Sequence, residues 1–332
     1  MNGWGPDELE AGVVCPSCGS RTKALTLYQE LHDNVEGIPG KWSIRRCSQC
    51  RSLYLDPRPK PEAIAKAYAS YHTHDRGSDE YARDNGNSLF WKLANGYMNA
   101  RYGSARTPAL ESGWRIMSLL PPLRQQLDYF YRHLPSRPGR LLDVGCGNGV
   151  FLLRAKAAGW DVVGLEPDPA AVAAARECGS DVRQGTLESS VVTGPFNVIT
   201  AAHVIEHVHQ PQLFLKRIFD LLAKDGHVWI ATPNVQGMGH RWFGRAWRGL
   251  EPPRHMVLFS RKALRKLLED AGFREITFLR RGRGSFYVLH ASHEAALKEG
   301  RKKFKLPAPA VDLAASIFAS TGEEWVVRAK KP

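Results

Sequence analysis

Arg140-Leu-Leu-Asp-Val-Gly-Cys-Gly-Asn-Gly149 is the stretch whose reading decides the fold. Leu141, Leu142 and Val144 read as a β-strand, Gly145, Gly147 and Gly149 as a turn, and Val150 to Ala158 as a helix. Strand, glycine turn and helix, in that order, bring the backbone of an α/β domain close to a ligand. Glycine is needed there because a Cβ would block the approach or forbid the turn. Trp160-Asp-Val-Val-Gly-Leu-Glu166 reads as the next strand and ends in a carboxylate, placed to accept hydrogen bonds from ribose hydroxyls. The dinucleotide fingerprint G-x-G-x-x-G sets a pyrophosphate on the helix N-terminus. Here the spacing is G-x-G-x-G, and Asp143 beside it repels a diphosphate but suits an ammonium or sulfonium group. A nucleoside-containing ligand follows, with another cofactor on a similar sheet as the competing reading.

The loop, with Asp143 and Glu166, resembles the class I S-adenosylmethionine (SAM)-dependent methyltransferases. The resemblance runs from about Pro138 to Lys330. It includes Gly164-Leu-Glu-Pro-Asp168, Phe196-Asn-Val-Ile-Thr-Ala-Ala-His-Val-Ile-Glu-His207, Ala231-Thr-Pro-Asn234, Pro253-Arg-His-Met-Val-Leu-Phe-Ser260 and Ala271-Gly-Phe273, in the family's order. It implies an α/β fold with a Rossmann-like seven-stranded sheet, SAM as cofactor and methyl transfer as activity. Asp143, Gly145, Cys146, Gly147, Asn148 and Gly149 are then expected at the methionine end, and Glu166 and Pro167 at the ribose. Thr186 and Leu187 flank the adenine by family position, and His203 faces the same pocket.

Composition agrees with a folded enzyme. The 332 residues are 43% hydrophobic and 24% charged, ordinary for a globular protein with a sizeable core. The N-terminal Met1-Asn-Gly-Trp-Gly-Pro-Asp-Glu8 has no basic-then-apolar pattern of a secretory signal, and no apolar run reaches the roughly 20 residues of a membrane span. A cytoplasmic protein is the expectation. The net charge of +13 suits an anionic partner, such as a nucleotide sugar or a lipid-linked glycan at a membrane surface. Its densest patch, Lys298, Arg301, Lys302, Lys303 and Lys305, lacks the interleaved aromatics of RNA-binding surfaces and reads first as a solvated face. A small-molecule or glycan acceptor is therefore favoured over nucleic acid.

Cys15-Pro-Ser-Cys18 and Cys47-Ser-Gln-Cys50 are two C-x-x-C pairs. Each places two thiolates on a tight knuckle, and two knuckles complete a tetrahedral zinc site. The gap between them exceeds the roughly 15–20 residues of the commonest ribbons, but Ala24–Tyr28 and Trp42–Arg45 read as strands that fill it. A reducing compartment disfavours disulfides, and a redox pair lacks its thioredoxin-like context. Cys15, Cys18, Cys47 and Cys50 are thus expected to hold a structural Zn2+. With Ser52–Pro59 the module is similar to the N-terminal cap of bacterial methyltransferases of polysaccharide and deoxysugar pathways.

The boundaries expected are a zinc-ribbon-like module at 1–60, a helical cap and linker at 61–136, and a SAM-binding domain at 137–332 with an insertion at 234–260 and a basic segment at 281–306. Helices are expected over Pro61–Tyr68, from Ser88, and over Gln125–Leu134. His72 and His74 read as readily as loop residues as ligands. Arg241, Trp242, Phe243, Arg245, Trp247 and Arg248 in the insertion suit a phosphorylated sugar ring or, equally, packing between modules.

Chemistry belongs where the central strands end, at Ala201-Ala-His-Val-Ile-Glu-His207. A hydroxyl nucleophile benefits from a nearby base; His203, Glu206, His207 and the later His255 are the candidate catalytic groups. His203-Val-Ile-Glu-His207 matches the H-x-x-E-H metalloprotease string, but that string requires a long helix and here it follows a strand. The same four residues resemble the metal-binding E-x-x-E-H region of RNA 2′-O-methyltransferases and ubiquinone-pathway O-methyltransferases. His203 stands where those have Glu, which weakens a Mg2+ site. The Asn/Asp-Pro-Pro-aromatic string of amine methyltransferases is missing, so oxygen or carbon is favoured over nucleobase nitrogen. The reading is methyl transfer to a hydroxyl of a saccharide, nucleotide sugar or related metabolite. RNA methylation and a non-catalytic SAM-binding subunit are the alternatives.

Overall fold

The computed structural model describes residues 3–21, 24–68, 86–189, 192–301 and 304–332; His72, His74, Lys302 and Lys303 lie outside the described residues. Five strands precede the glycine loop's own: β1 (Leu9–Glu10), β2 (Leu25–Leu31), β3 (Trp42–Arg46), β4 (Leu53–Leu55) and β5 (Arg58–Pro59). They are followed by β6 (Arg140–Val144), β7 (Asp161–Glu166), β8 (Val182–Gln184), β9 (Phe196–Ala202), β10 (Leu222–Pro233), β11 (Val257–Leu258), β12 (Arg274–Leu279) and β13 (Glu324–Lys330).

A seven-stranded sheet takes the order β12-β13-β10-β9-β6-β7-β8. Strands β6 to β10 pair in parallel, and β13 runs antiparallel to both its neighbours. The parallel strands are apolar along their length because helices cover both faces: Leu141, Leu142, Ile199, Ala201 and Ile230 are fully buried. Strand order reverses between β6 and β9, and the crevice outside their carboxyl ends is where such sheets take ligands.

Local chemistry sets the helix ends. Asp168 accepts from the Ala170 N–H ahead of Pro169, and Ser260 accepts from the Ala263 N–H to start Arg261–Asp270, both ordinary N-caps. That second helix closes at Gly272, whose φ is +103°. Elsewhere tertiary context shifts the bounds expected from sequence. Strand β10 extends over Leu222–Pro233, flanked by β9 and β13. The expected Pro61–Tyr68 helix is a single tight turn, Ile64–Tyr68. The helix expected to reach Leu134 covers Pro121–Phe130, because Arg132 and His133 turn left-handed (φ 46° and 52°). Their N–H groups bond back to the Tyr129 and Asp128 carbonyls at 2.8 Å.

The N-terminal module and the insertion share a sheet. Strands β2, β3 and β4 are extended by β11 in the order β11-β4-β3-β2, and the Leu55 N–H donates to the Met256 carbonyl at 3.0 Å. Ser260 donates its hydroxyl to the Cys50 carbonyl at 2.6 Å. Among the described residues no helix is long and apolar enough to cross a membrane.

In the segment between, helices Leu89–Tyr102 and Gly113–Ser118 meet backbone to backbone. A Cβ on Gly96 would run into the Leu110 carbonyl, and one on Gly113 into that of Leu93. Gly96→Ala should therefore lower stability by about 1–3 kcal/mol despite alanine's better helix propensity, read as a lower urea midpoint.

Candidate active site

The glycine loop is held by its neighbouring strand. The Gly145 and Cys146 N–H groups donate to the Leu165 carbonyl at 2.8 and 3.2 Å. The Gly147 N–H donates to Glu166 Oε2 at 2.9 Å, and the Asp168 N–H to Oε1 at 3.0 Å. Gly145, Gly147 and Gly149 all have positive φ. A Cβ on Gly147 would meet nothing within 4 Å, so the loop opens onto free space there. Burial pushes Glu166 above the usual carboxylate range, against the pull of its two backbone donors. Pro167 is exposed, Asn148 accepts from the Val150 N–H at 3.3 Å, and Cys146 is buried with its thiol pushed up by burial. Thr186, exposed, and Leu187, 2% exposed, follow β8 on the same edge of the sheet.

Asp143 is not alone on the floor of this crevice. Its Oδ1 is paired with Arg132 and accepts from the Thr200 hydroxyl at 2.8 Å, while Oδ2 is buried without a hydrogen bond. Arg132 lies 3.9 Å from the centre of the Phe151 ring and also donates to Thr200 at 2.8 Å. The left-handed turn at Arg132 delivers this guanidinium to Asp143. Backbone strain at a non-glycine residue is a mark of functional positions.

The second half of the site follows β9. His203 has φ 55° and its side chain is 43% exposed, with Nδ1 3.3 Å from Glu206 and Nε2 3.3 Å from Glu324. Desolvation opposes its charge, but Glu324 and Glu206 outweigh it and hold the imidazole well above its usual range. Glu324 also pairs with Arg281, which lies over the Tyr129 ring at 3.5 Å. The His203 imidazole is thus clamped between two carboxylates that favour its charged form.

Glu206, His207 and His255 each place one donor atom within 4.8 Å of the others; His203 is not among them. Glu206 is fully buried, accepts from the Thr232 hydroxyl at 2.9 Å on Oε2, and faces His203 Nδ1 at 3.3 Å with Oε1. His255 Nδ1 lies 2.8 Å from the Gly249 carbonyl, and His207 Nδ1 3.0 Å from the Arg254 carbonyl and from the Tyr68 hydroxyl. A carbonyl only accepts, so both Nδ1 atoms carry a proton, and a neutral His255 keeps its lone pair on Nε2. Burial brings His255 down to about 4, which keeps it neutral. In the insertion, Phe243 and Trp247 are buried, and the Trp247 N–H donates to Glu323 at 2.8 Å. These two rings pack the modules together and offer no face to a sugar.

The four N-terminal cysteines converge. Cys15 and Cys50 sulfurs are 3.6 Å apart, Cys18 and Cys47 sulfurs 3.7 Å, and all four lie within 4.8 Å. The knuckles are built alike: Gly19 and Arg51, both at φ 66°, donate to the Cys15 and Cys47 carbonyls at 2.8 and 3.1 Å. Such spacing fits tetrahedral thiolates at about 2.3 Å from one ion.

Residues 119–277 match a protein family described as "Methyltransferase domain". Two curated relatives are each named "Ubiquinone biosynthesis O-methyltransferase". The protein from Azorhizobium caulinodans is 36% identical over 107 residues, 30% of this chain and 42% of the relative. The one from Yersinia enterocolitica is 33% identical over 138 residues, 38% of this chain and 54% of the relative. The chain thus spans about half the length of these relatives. A solved S-adenosylmethionine dependent methyltransferase from Mesorhizobium loti is 16% identical, covering 62% of this chain and 98% of that one with a TM-score of 0.43.

Sequence reasoning missed Arg132, Tyr68, Arg281 and Glu324. Arg132-His133 carried a faint signal, since the helical pattern there runs into no glycine that would end it. His133, beside Arg132, accepts from the Trp229 N–H at 3.2 Å, and burial lowers it to about 4 from an ordinary 6.5. The folded state therefore binds fewer protons than the unfolded chain between those values. Stability should fall as pH drops from about 6.5 to about 4, by at most about 1.4 kcal/mol per pH unit from this group. His133→Asn, which keeps an acceptor for Trp229, should flatten that part of the urea-midpoint profile.

Proposed function

We propose that the chain transfers a methyl group from SAM to a hydroxyl of a small metabolite. The observation that carries this reading is the Glu166 carboxylate tied to the Gly147 N–H beneath open space, at the same edge of the sheet as the Glu206, His207 and His255 group, with β6 between their strands. Glu166 would accept from the ribose hydroxyls, and the unpaired Asp143 Oδ2 offers an acceptor for the methionyl ammonium. Thr186 and Leu187 would flank the adenine. SAM supplies an electrophilic methyl carbon, and its transfer is an in-line displacement in which positioning dominates.

Glu206, His207 and His255 would hold a divalent cation, which lowers the pKa of a hydroxyl bound to it. The buried Glu206 carboxylate and two imidazoles braced at Nδ1 by backbone carbonyls fit that role, since metal-bound histidines ordinarily have such partners. Two imidazoles with one carboxylate suit Mn2+, Fe2+ or Zn2+ better than Mg2+. His203, paired with Glu206 and Glu324, would orient Glu206 and present positive charge to the acceptor. The relatives' names favour oxygen as the methylated atom. Cys15, Cys18, Cys47 and Cys50 would hold a structural zinc, because four thiolates leave no open position.

Turnover with SAM and a panel of aromatic and saccharide hydroxyls tests this directly. An acceptor should gain the mass of one methylene. Glu206→Gln and His207→Asn should each lower kcat by about 10²–10⁴-fold while S-adenosylhomocysteine affinity stays unchanged. Zinc measured on the same sample should be at least one per chain and should fall by one per chain in Cys47→Ser. Methylation that persists unchanged in both site variants would overturn the assignment of the hydroxyl-activating group.

A further inference from the structure

Three segments on the far side of Glu324 from His203 come together at Gly282. A Cβ there would lie 2.6 Å from Ser316 Cβ, 2.8 Å from Gln125 Oε1 and 2.8 Å from Pro122 Cα. The Gln125 amide donates to the Ser316 carbonyl at 3.1 Å, and the Ser285 N–H donates to Asp312 at 3.1 Å. These contacts join the start of helix Pro121–Phe130, the start of Ser285–Lys298 and the whole of Ala308–Ile317. Their outer faces carry Leu119 (80% exposed), Leu120 (42%), Phe286 (69%), Leu313 (58%), Ile317 (52%) and Phe318 (63%). Arg115, Arg280 and Arg283 are exposed in the same segments or beside them.

Scattered exposed apolar residues need no explanation, but six gathered where three segments meet mark an interaction surface. The arginines decide between its occupants. A second copy of this chain would bring like charges together across a two-fold contact, within a molecule of net charge +13. An anionic lipid surface satisfies both features: the apolar side chains enter the headgroup boundary while each arginine gains roughly fivefold in affinity from the surface potential.

We propose that this platform docks the protein on an anionic bilayer. Arg281, next to Gly282, pairs with Glu324, which contacts His203, so the platform is linked to His203 through two ion-pair contacts. The proposal rests on the surface and not on the methyl-transfer reading; vesicle binding and cofactor binding can therefore fail separately.

Flotation of the full chain with vesicles tests it. The protein should float with phosphatidylglycerol-rich vesicles, release as salt is raised, and stay behind with pure phosphatidylcholine. Ile317→Asp/Phe318→Asp should lose about tenfold or more in vesicle affinity, and Arg280→Glu/Arg283→Glu should lose binding most strongly at low salt, both retaining S-adenosylhomocysteine binding as a check on folding. No flotation, undiminished flotation of the Ile317/Phe318 variant, or a dimer in sedimentation that the same variant disrupts would each overturn the proposal.

Discussion

The corner that brings Glu206, His207 and His255 together hangs on one buried guanidinium. Arg254 is 0% exposed, and its two terminal nitrogens reach both oxygens of Asp33 at 2.9 Å while Nε bonds Glu251 at 2.9 Å. Asp33 belongs to the loop after β2 and also accepts from the Val35 and Ile38 N–H groups. A buried charge pair adds little net stability, but leaving one member alone costs about 3–5 kcal/mol, so neither half can stray from the other. The pin joins the N-terminal module to Pro253-Arg254-His255. The Arg254 carbonyl lies at His207 Nδ1, the next residue is His255, and the Met256 N–H donates to the Glu206 carbonyl at 2.8 Å. Glu206, His207 and His255 are thereby positioned by a module that contributes none of them.

This arrangement also relates the cysteines to the site. Strand β4 starts three residues after Cys50 and pairs with β11, which starts two residues after His255. An ion that fixes the knuckles would fix one side of that pairing, and the Arg254 pin fixes the other.

Much of the cofactor half was legible because its signals are local. The glycine loop, the carboxylate ending β7, the Ser260 cap and the paired C-x-x-C knuckles all act within a few residues of themselves. The other half depends on contacts across long stretches of chain. Arg132 reaches Asp143 only because its backbone turns left-handed, and Glu324 reaches His203 from the last strand. Sequence pattern marks His203 as a candidate base; the two carboxylates that clamp it, Glu206 and Glu324, favour its charged form. The insertion's aromatics read equally as a sugar platform or as packing, and burial of Phe243 and Trp247 selects packing.

The account stands first on the crevice above Gly147 being a SAM site built by Glu166. Calorimetric titration of S-adenosylhomocysteine into the full chain and into Glu166→Ala tests that most directly. Saturable binding at one site, weakened by about tenfold or more in the variant, is the predicted result. No heat of binding in the native chain, or identical affinity in the two proteins, would contradict it.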